Sequence, residues 1–148
     1  ILKKSLGSIV MRFVDSNVFL YAIIKPKKKP SEKIILVKNK AKKIFKRINE
    51  GEKVITTVVH LSEVANVLED VAGIEFASEF ISDVLTKENI EVVSIDGKTC
   101  LASSILAQEK NISINDALAF LVMKQRKIDE IYSFDKHFDV LPIKRKTE

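Results

Sequence analysis

Apolar residues in this chain occur either as short continuous runs or at a three-to-four-residue recurrence, and the changes between the two mark out strands and helices. Residues 9–14 are almost continuously apolar, the pattern of a strand covered on both faces. Asp15-Ser16-Asn17 ends that run, and Val18 to Ile24 predict a short helix. Beyond a connector at 25–30, Ser31 is placed to cap a helix that ends near Gly51. Its Ile34, Val37, Ala41, Ile44, Phe45 and Ile48 recur at helical spacing. Lys53 to Thr56 predict a brief strand or turn, Thr57 caps a helix running to Gly73, and 74–87 form another helix. A strand at 90–95, helices at 98–110 and 115–127, and a strand at 130–134 follow. A turn at 136–139 and a last strand at 140–143 complete the pattern. Strands separated by helices imply a central parallel sheet between two helical layers, a three-layer α/β/α domain.

With 148 residues, the chain is long enough for one domain with a substantial core. Residues 1–10 read as an N-terminal extension and 11–148 as a single domain. Four Gly and three Pro are too few for a turn-rich all-β fold. Cys100 is the only cysteine, which excludes an internal disulfide and a cysteine-based zinc site and fits a reducing, cytoplasmic setting. No apolar run approaches the ~18 residues of a membrane helix, and Ile1 to Gly7 lack the features of a signal peptide. The scarcity of glycine also rules out the glycine-rich phosphate loops of nucleotide-binding folds.

Charge is unevenly spread. Residues 25–47 hold eleven Lys or Arg against one acid, Glu32, a local +10 within a total of +5, so the remainder carries −5. Such a distribution fits an electropositive surface beside an acidic pocket, and fits equally a lysine-rich solvated helix.

Four acids stand against apolar runs, where a carboxylate needs a pair, hydrogen bonds or a metal. Asp15 closes the first strand, Glu63 sits within Val58 to Val64, Asp116 opens Ala117 to Met123, and Asp135 follows Ile131 to Phe134. Asp15 and Asp135 fall at the carboxyl ends of strands, where ligand sites form in open parallel sheets. Brought into one cleft, the four would make an oxygen-ligand site for Mg²⁺ or Mn²⁺. Each also has a local structural use: Asp15 and Asp135 as caps or turn residues, Glu63 as a solvated helix residue, and Asp116 as the acid of a Ser113–Asp116 capping box. His60 reads as a helix-surface residue and His137 as a loop residue.

The ordered set Phe13-Val14-Asp15-Ser16-Asn17, Thr57 to Val64, Ile114-Asn115-Asp116-Ala117-Leu118-Ala119 and Tyr132-Ser133-Phe134-Asp135-Lys136-His137-Phe138 resembles the PIN-domain ribonucleases, and within them the VapC-type toxins of toxin–antitoxin pairs. The resemblance spans about residues 11–143, with Ser133 where the family usually has threonine. It implies a Mg²⁺- or Mn²⁺-dependent endoribonuclease with Asp15, Glu63, Asp116 and Asp135 as metal-binding and catalytic residues. Asn17, Asn115 and Ser133 would orient those ligands. It further implies an RNA substrate, a cognate antitoxin and a homodimer, with apolar helix faces such as 74–87 at the interface. Alternatives are a PIN nuclease of RNA processing or quality control, and a non-catalytic RNA- or protein-binding module of the same fold. A phosphatase with an aspartyl nucleophile is disfavoured because the second Asp it needs is replaced by Asn17.

Overall fold

The computed structural model describes residues 10–148; Ile9 of the expected first strand, and all of the expected extension except Val10, lie outside the described residues. Its elements are β1 (Arg12–Val14), α1 (Ser16–Ile23), α2 (Glu32–Asn49), β2 (Val54–Thr57), α3 (Val58–Ala72), α4 (Ile74–Thr86), β3 (Ile90–Val93), α5 (Gly97–Lys110), α6 (Ile114–Gln125), β4 (Glu130–Tyr132), a 3-10 turn (Lys136–Val140) and β5 (Lys144–Lys146). The five strands form one sheet in the order β3-β2-β1-β4-β5, and every neighbouring pair is parallel. Helices cover both faces, as the alternation of strands and helices requires.

Strand register divides the core. Phe13 pairs with Ile55 and with Ile131, so these three side chains leave the sheet on one face. There they pack with Leu118, Ala119, Val122 and Met123 of α6. On the opposite face Val14, Val54 and Tyr132 meet Val18 and Phe19 of α1, Ile44 and Ile48 of α2, and Val64 and Leu68 of α3. The nearly all-apolar α6 is central, with seven of its twelve residues buried. Every residue of β2 is buried too.

The chain moves outward from β1 through β2 to β3, then crosses back to place β4 on the other side of β1. That reversal opens a crevice beyond the carboxyl ends of β1 and β4. Asp15 directly follows the first of these strands and Ser133 the second.

The first, third and fourth strands are shorter than expected, beginning at Arg12 and ending at Val93 and Tyr132, the helix expected at 115–127 spans Ile114–Gln125, and two further boundaries differ for local physical reasons. The first helix begins at Ser16 rather than Val18, because Asp15 itself is the cap and its carboxylate accepts the Ser16 amide at 2.8 Å. The last strand is Lys144–Lys146 rather than 140–143. Pro142 has no amide to give a ladder, and Leu141 is buried as an anchor. A charged edge strand also discourages pairing with another sheet, and Arg145 is fastened to Asp139 by two hydrogen bonds of 2.9 and 3.2 Å.

Candidate active site

Asp15, Glu63, Asp116 and Asp135 line one cleft of about 370 Å³, together with Asn17, Ser113, Ile114 and Asn115. Each acid arrives on a different element. Asp15 terminates β1, Glu63 lies two turns into α3, Asp116 is in the first turn of α6, and Asp135 caps the 3-10 turn. The caps made by Asp15 and Asp135 coexist with the shared cleft, whereas Asp116 does not complete a capping box, since among the described residues no bond returns from its carboxylate to the Ser113 amide. Ser113 Oγ accepts the Asp116 amide at 3.0 Å, and Asp135 Oδ1 accepts the His137 amide at 2.9 Å, while the acids still line the cavity.

Hydrogen bonds fix these side chains. Ser133 Oγ donates to Asp15 Oδ2 at 2.7 Å and accepts the Asp135 amide at 3.0 Å, coupling the ends of β1 and β4 through one buried hydroxyl. Glu63 Oε1 accepts from Asn115 Nδ2 at 3.0 Å and from Ser16 Oγ at 3.1 Å. Asn17 Oδ1 accepts the Phe134 amide at 3.3 Å, holding the loop after β4 against α1. Arg145 donates to the Ser133 carbonyl at 3.3 Å, so the unexpected β5 supports the site from behind.

The electrostatics are those of a site short of positive charge. Asp15 is 6% exposed and Asp116 7%. Burial pushes the Asp15 carboxyl up to about 7; hydrogen bonds from Ser133 and the Ser16 amide pull it down, and the charges of Asp116 and Glu63 add to the rise. Burial also pushes Asp116 up to about 6, reinforced by Asp135 and moderated by Ser113 and His137. Among the described residues no Lys or Arg forms an ion pair with any of the four acids. The basic side chain nearest to them among the described residues is His137, whose Nδ1 lies 3.2 Å from Asp135 Oδ1 and 4.0 Å from Asp116 Oδ2. Asp116, Asp135 and His137 each present a ligand atom within 4.8 Å of the others. Carboxylate oxygens with so little counter-charge suit a hard divalent cation.

Three residues have roles the sequence pattern did not disclose. Ser16 was read as part of the stretch that ends the first strand, with no contact to another acid, yet it donates to Glu63. His137, expected as a loop residue, reaches two of the acids. His60, expected on a helix surface, is buried at 1% exposure. Its ring lies edge-on to Phe13 at 5.0 Å and its Nδ1 is 2.7 Å from Thr57 Oγ1. Burial depresses its pKa to about 4, and Nε2 has no hydrogen-bond partner among the described residues.

Comparison with known proteins agrees with this architecture. Structural similarity extends to Mycobacterium tuberculosis VapC20, a sarcin–ricin loop cleaving toxin, at TM-score 0.69 and 19% identity over 90% of this chain and 95% of that one. A toxin–antitoxin complex from Klebsiella pneumoniae aligns at TM-score 0.64 and 12% identity, covering 93% of this chain and 98% of that one. VapBC2 from Rickettsia felis, solved bound to a DNA fragment from its promoter, aligns at TM-score 0.62 and 14% identity with the same 93% and 98% coverage. A comparison with curated protein sequences returns no match. The profile of the PIN domain matches residues 12–144, nearly the whole chain, and the protein therefore belongs to the PIN-domain family.

Proposed function

We propose that this protein is a divalent-cation-dependent endoribonuclease and the toxin of a toxin–antitoxin pair, with residues 11–148 forming one nuclease domain. The observation that carries the reading is the cleft itself: four acids line it without a Lys or Arg partner among the described residues, and two are held well above the usual carboxylate range. Asp15, Glu63, Asp116 and Asp135 would hold Mg²⁺ or Mn²⁺. A bound divalent cation supplies charge neutralisation at the scissile phosphate and a water of lowered pKa.

The remaining chemistry belongs to the chain. Burial, reinforced by neighbouring carboxylates, holds protons on Asp15 and Asp116 up to near-neutral pH, so these residues would bind a cation less readily as pH falls. Ser133 holds Asp15 and the Asp135 backbone in register, and Asn115 with Ser16 aims Glu63. Asn17 anchors the Phe134 loop that forms one wall.

The toxin assignment is supported by the toxin and toxin–antitoxin neighbours. It carries with it an antitoxin partner and a cytoplasmic location. Homodimer formation is supported by α4, where Ile74, Phe76 and Leu85 are 72%, 42% and 55% exposed. No described helix is long and apolar enough to cross a membrane.

The deciding experiment is cleavage of a mixed RNA panel with Mg²⁺ or Mn²⁺, with EDTA, and with an Asp116→Asn protein purified identically. Cation-dependent cleavage that disappears in the variant supports the assignment. Equal behaviour of the two proteins refutes it.

A further inference from the structure

A cleft of carboxylates repels a polyanion, and a cation bound there offsets that repulsion without adding much attraction. The attraction that holds RNA must come from outside the cleft. Residues 25–47 supply it in quantity, with eleven Lys or Arg and one acid. Within this segment, ion pairs engage only Lys40, Lys46 and Arg47 among the described residues. Lys25, Lys27, Lys28 and Lys29 are exposed and form no ion pair among the described residues.

The site and this segment are physically continuous. Asn17 lines the acidic cleft and also a neighbouring groove of about 330 Å³, whose other walls include Leu20, Tyr21, Ile24, Pro26 and Lys38. That volume is in the range of small-molecule sites, from about 300 Å³ upward, enough for a base with its ribose. Tyr21 meets Phe134, the residue before Asp135, in an edge-to-face pair with ring centroids 5.7 Å apart. Both rings are only half-buried, so an aromatic surface stands at the junction of cleft and groove. The lysine connector begins at the groove's far end and is tied down on both sides. Lys38 Nζ donates to the Tyr21 carbonyl at 2.7 Å and to the Ile24 carbonyl, capping the end of α1. At the other side Ser31 Oγ accepts the Ile34 amide at 3.3 Å. Pro26 and Pro30 bracket the connector and limit its freedom further.

The geometry points to a single-stranded RNA track that leaves the acidic cleft over Asn17, stacks a base against Tyr21 in the groove, and sets the next phosphates on Lys25, Lys27, Lys28 and Lys29. The inference rests on the RNA-cleaving reading above, and adds where the strand runs and what holds it.

The test compares full-length proteins by fluorescence anisotropy, using a labelled short single-stranded RNA of mixed sequence. The Asp116→Asn background prevents cutting. The variant is Lys27→Gln/Lys28→Gln/Lys29→Gln. The control, Lys53→Gln/Lys98→Gln/Lys110→Gln, removes the same charge from exposed lysines elsewhere. Losing three phosphate contacts lowers the magnitude of the slope of log K against log salt by about 2, and weakens binding roughly 10- to 50-fold near 0.15 M salt. The control leaves the slope nearly unchanged. A Tyr21→Leu protein weakens binding about 5-fold or more without altering the slope, because stacking carries no charge.

Equal losses in the two lysine triples would mean a diffuse field and overturn the track, and so would no loss in either. The same triples on the active background separate the two ideas. If RNA is still cut with unchanged salt dependence, the track is wrong and nuclease activity stands; the groove would then be open to a protein partner. If wild type cuts nothing yet binds RNA through Lys27 to Lys29, the track stands and the nuclease reading falls.

Discussion

Replacing Asp116 by Asn should make the cation-free protein more stable at neutral and alkaline pH while removing its cleavage activity. Asp116 is buried and sits beside Asp135, so its carboxyl is raised from 3.8 to about 6. The unfolded chain ionises this group near its ordinary value and the folded chain holds the proton longer. Below about pH 4 the group is neutral in both states and contributes no penalty. Between about pH 4 and 6 the unfolded state gives up its proton first, so stability falls as pH rises, and above about pH 6 the loss is complete. The difference between 3.8 and about 6 corresponds to about 3 kcal/mol. An Asn amide in the same place keeps the shape and the Ser113 cap on the backbone, but incurs about 1–2 kcal/mol for burying an incompletely bonded polar group. The net gain is therefore about 1–2 kcal/mol at pH about 8, or about 3–8 °C in Tm for a domain of this size. Thermal melts in EDTA at pH about 4 and about 8 read this directly, since titrating groups outside the cleft cancel between the two proteins while Asp15 and Asp135 are relieved of the Asp116 charge only in the variant. With Mg²⁺ at about 100 times its Kd the wild type alone gains about 2.7 kcal/mol, and the order reverses. A variant that is no more stable at pH about 8, or whose advantage is the same at both pH values, would refute the reasoning.

Ser133→Ala removes the hydroxyl that bridges Asp15 and Asp135, and should lower cleavage about 10- to 100-fold, with Ser133→Thr restoring most of it in the same assay. His137 is 72% exposed at its side chain yet lies against two acids, so His137→Ala should leave Tm unchanged and shift the Mn²⁺ titration midpoint, measured by calorimetry. His60 has its folded pKa depressed from 6.5 to about 4, so stability present above about pH 6.5 is lost as pH falls toward about 4, by up to about 3 kcal/mol. His60→Phe should flatten that acid limb in urea titrations, and an unchanged limb would assign it to other groups. Arg145→Ala frees the Ser133 carbonyl and Asp139, and should lower cleavage several-fold with little change in Tm, because Ser133 bonds both Asp15 and the Asp135 amide.

What the sequence discloses here follows the range of the interaction. Helix starts at Ser31, Thr57 and Ser113 were readable because a cap and the amide it serves are three residues apart. The parallel α/β/α arrangement was readable because each strand run is separated from the next by a helical period. The acids could be picked out singly, since a carboxylate against an apolar run is anomalous wherever it occurs. Their gathering depends on contacts such as Ser133 to Asp15 and Asn115 to Glu63, which join residues 118 and 52 positions apart. The same applies to His60 of α3, which packs against Phe13 of β1, and to β5, whose charged residues have no strand period of their own.

These long-range bonds also explain why the site persists as an assembled cleft. Asp15 and Asp116 are a net penalty to the folded chain near neutral pH, in opposition to the core on both faces of the sheet. Repulsion of Asp15 by Asp116 and Glu63, and of Asp116 by Asp135, favours opening of the cleft. Three features oppose that: the Ser133 hydroxyl, the Asp15 amide bonded to the Tyr132 carbonyl at 3.0 Å, and Asn17 on the Phe134 amide. Two of the three involve backbone groups of β4 or the loop after it, so the fold holds the carboxylates together before any cation arrives. A preassembled cleft of this kind spends the stability of the core on the geometry of the site. The charge that would relieve the strain is absent from the cleft and concentrated on the connector between α1 and α2, where it faces solvent. Separating the two is what lets one small domain keep an acidic centre for a cation and a basic border for a polyanion, since lysines placed within the cleft would neutralise the acids and displace the cation.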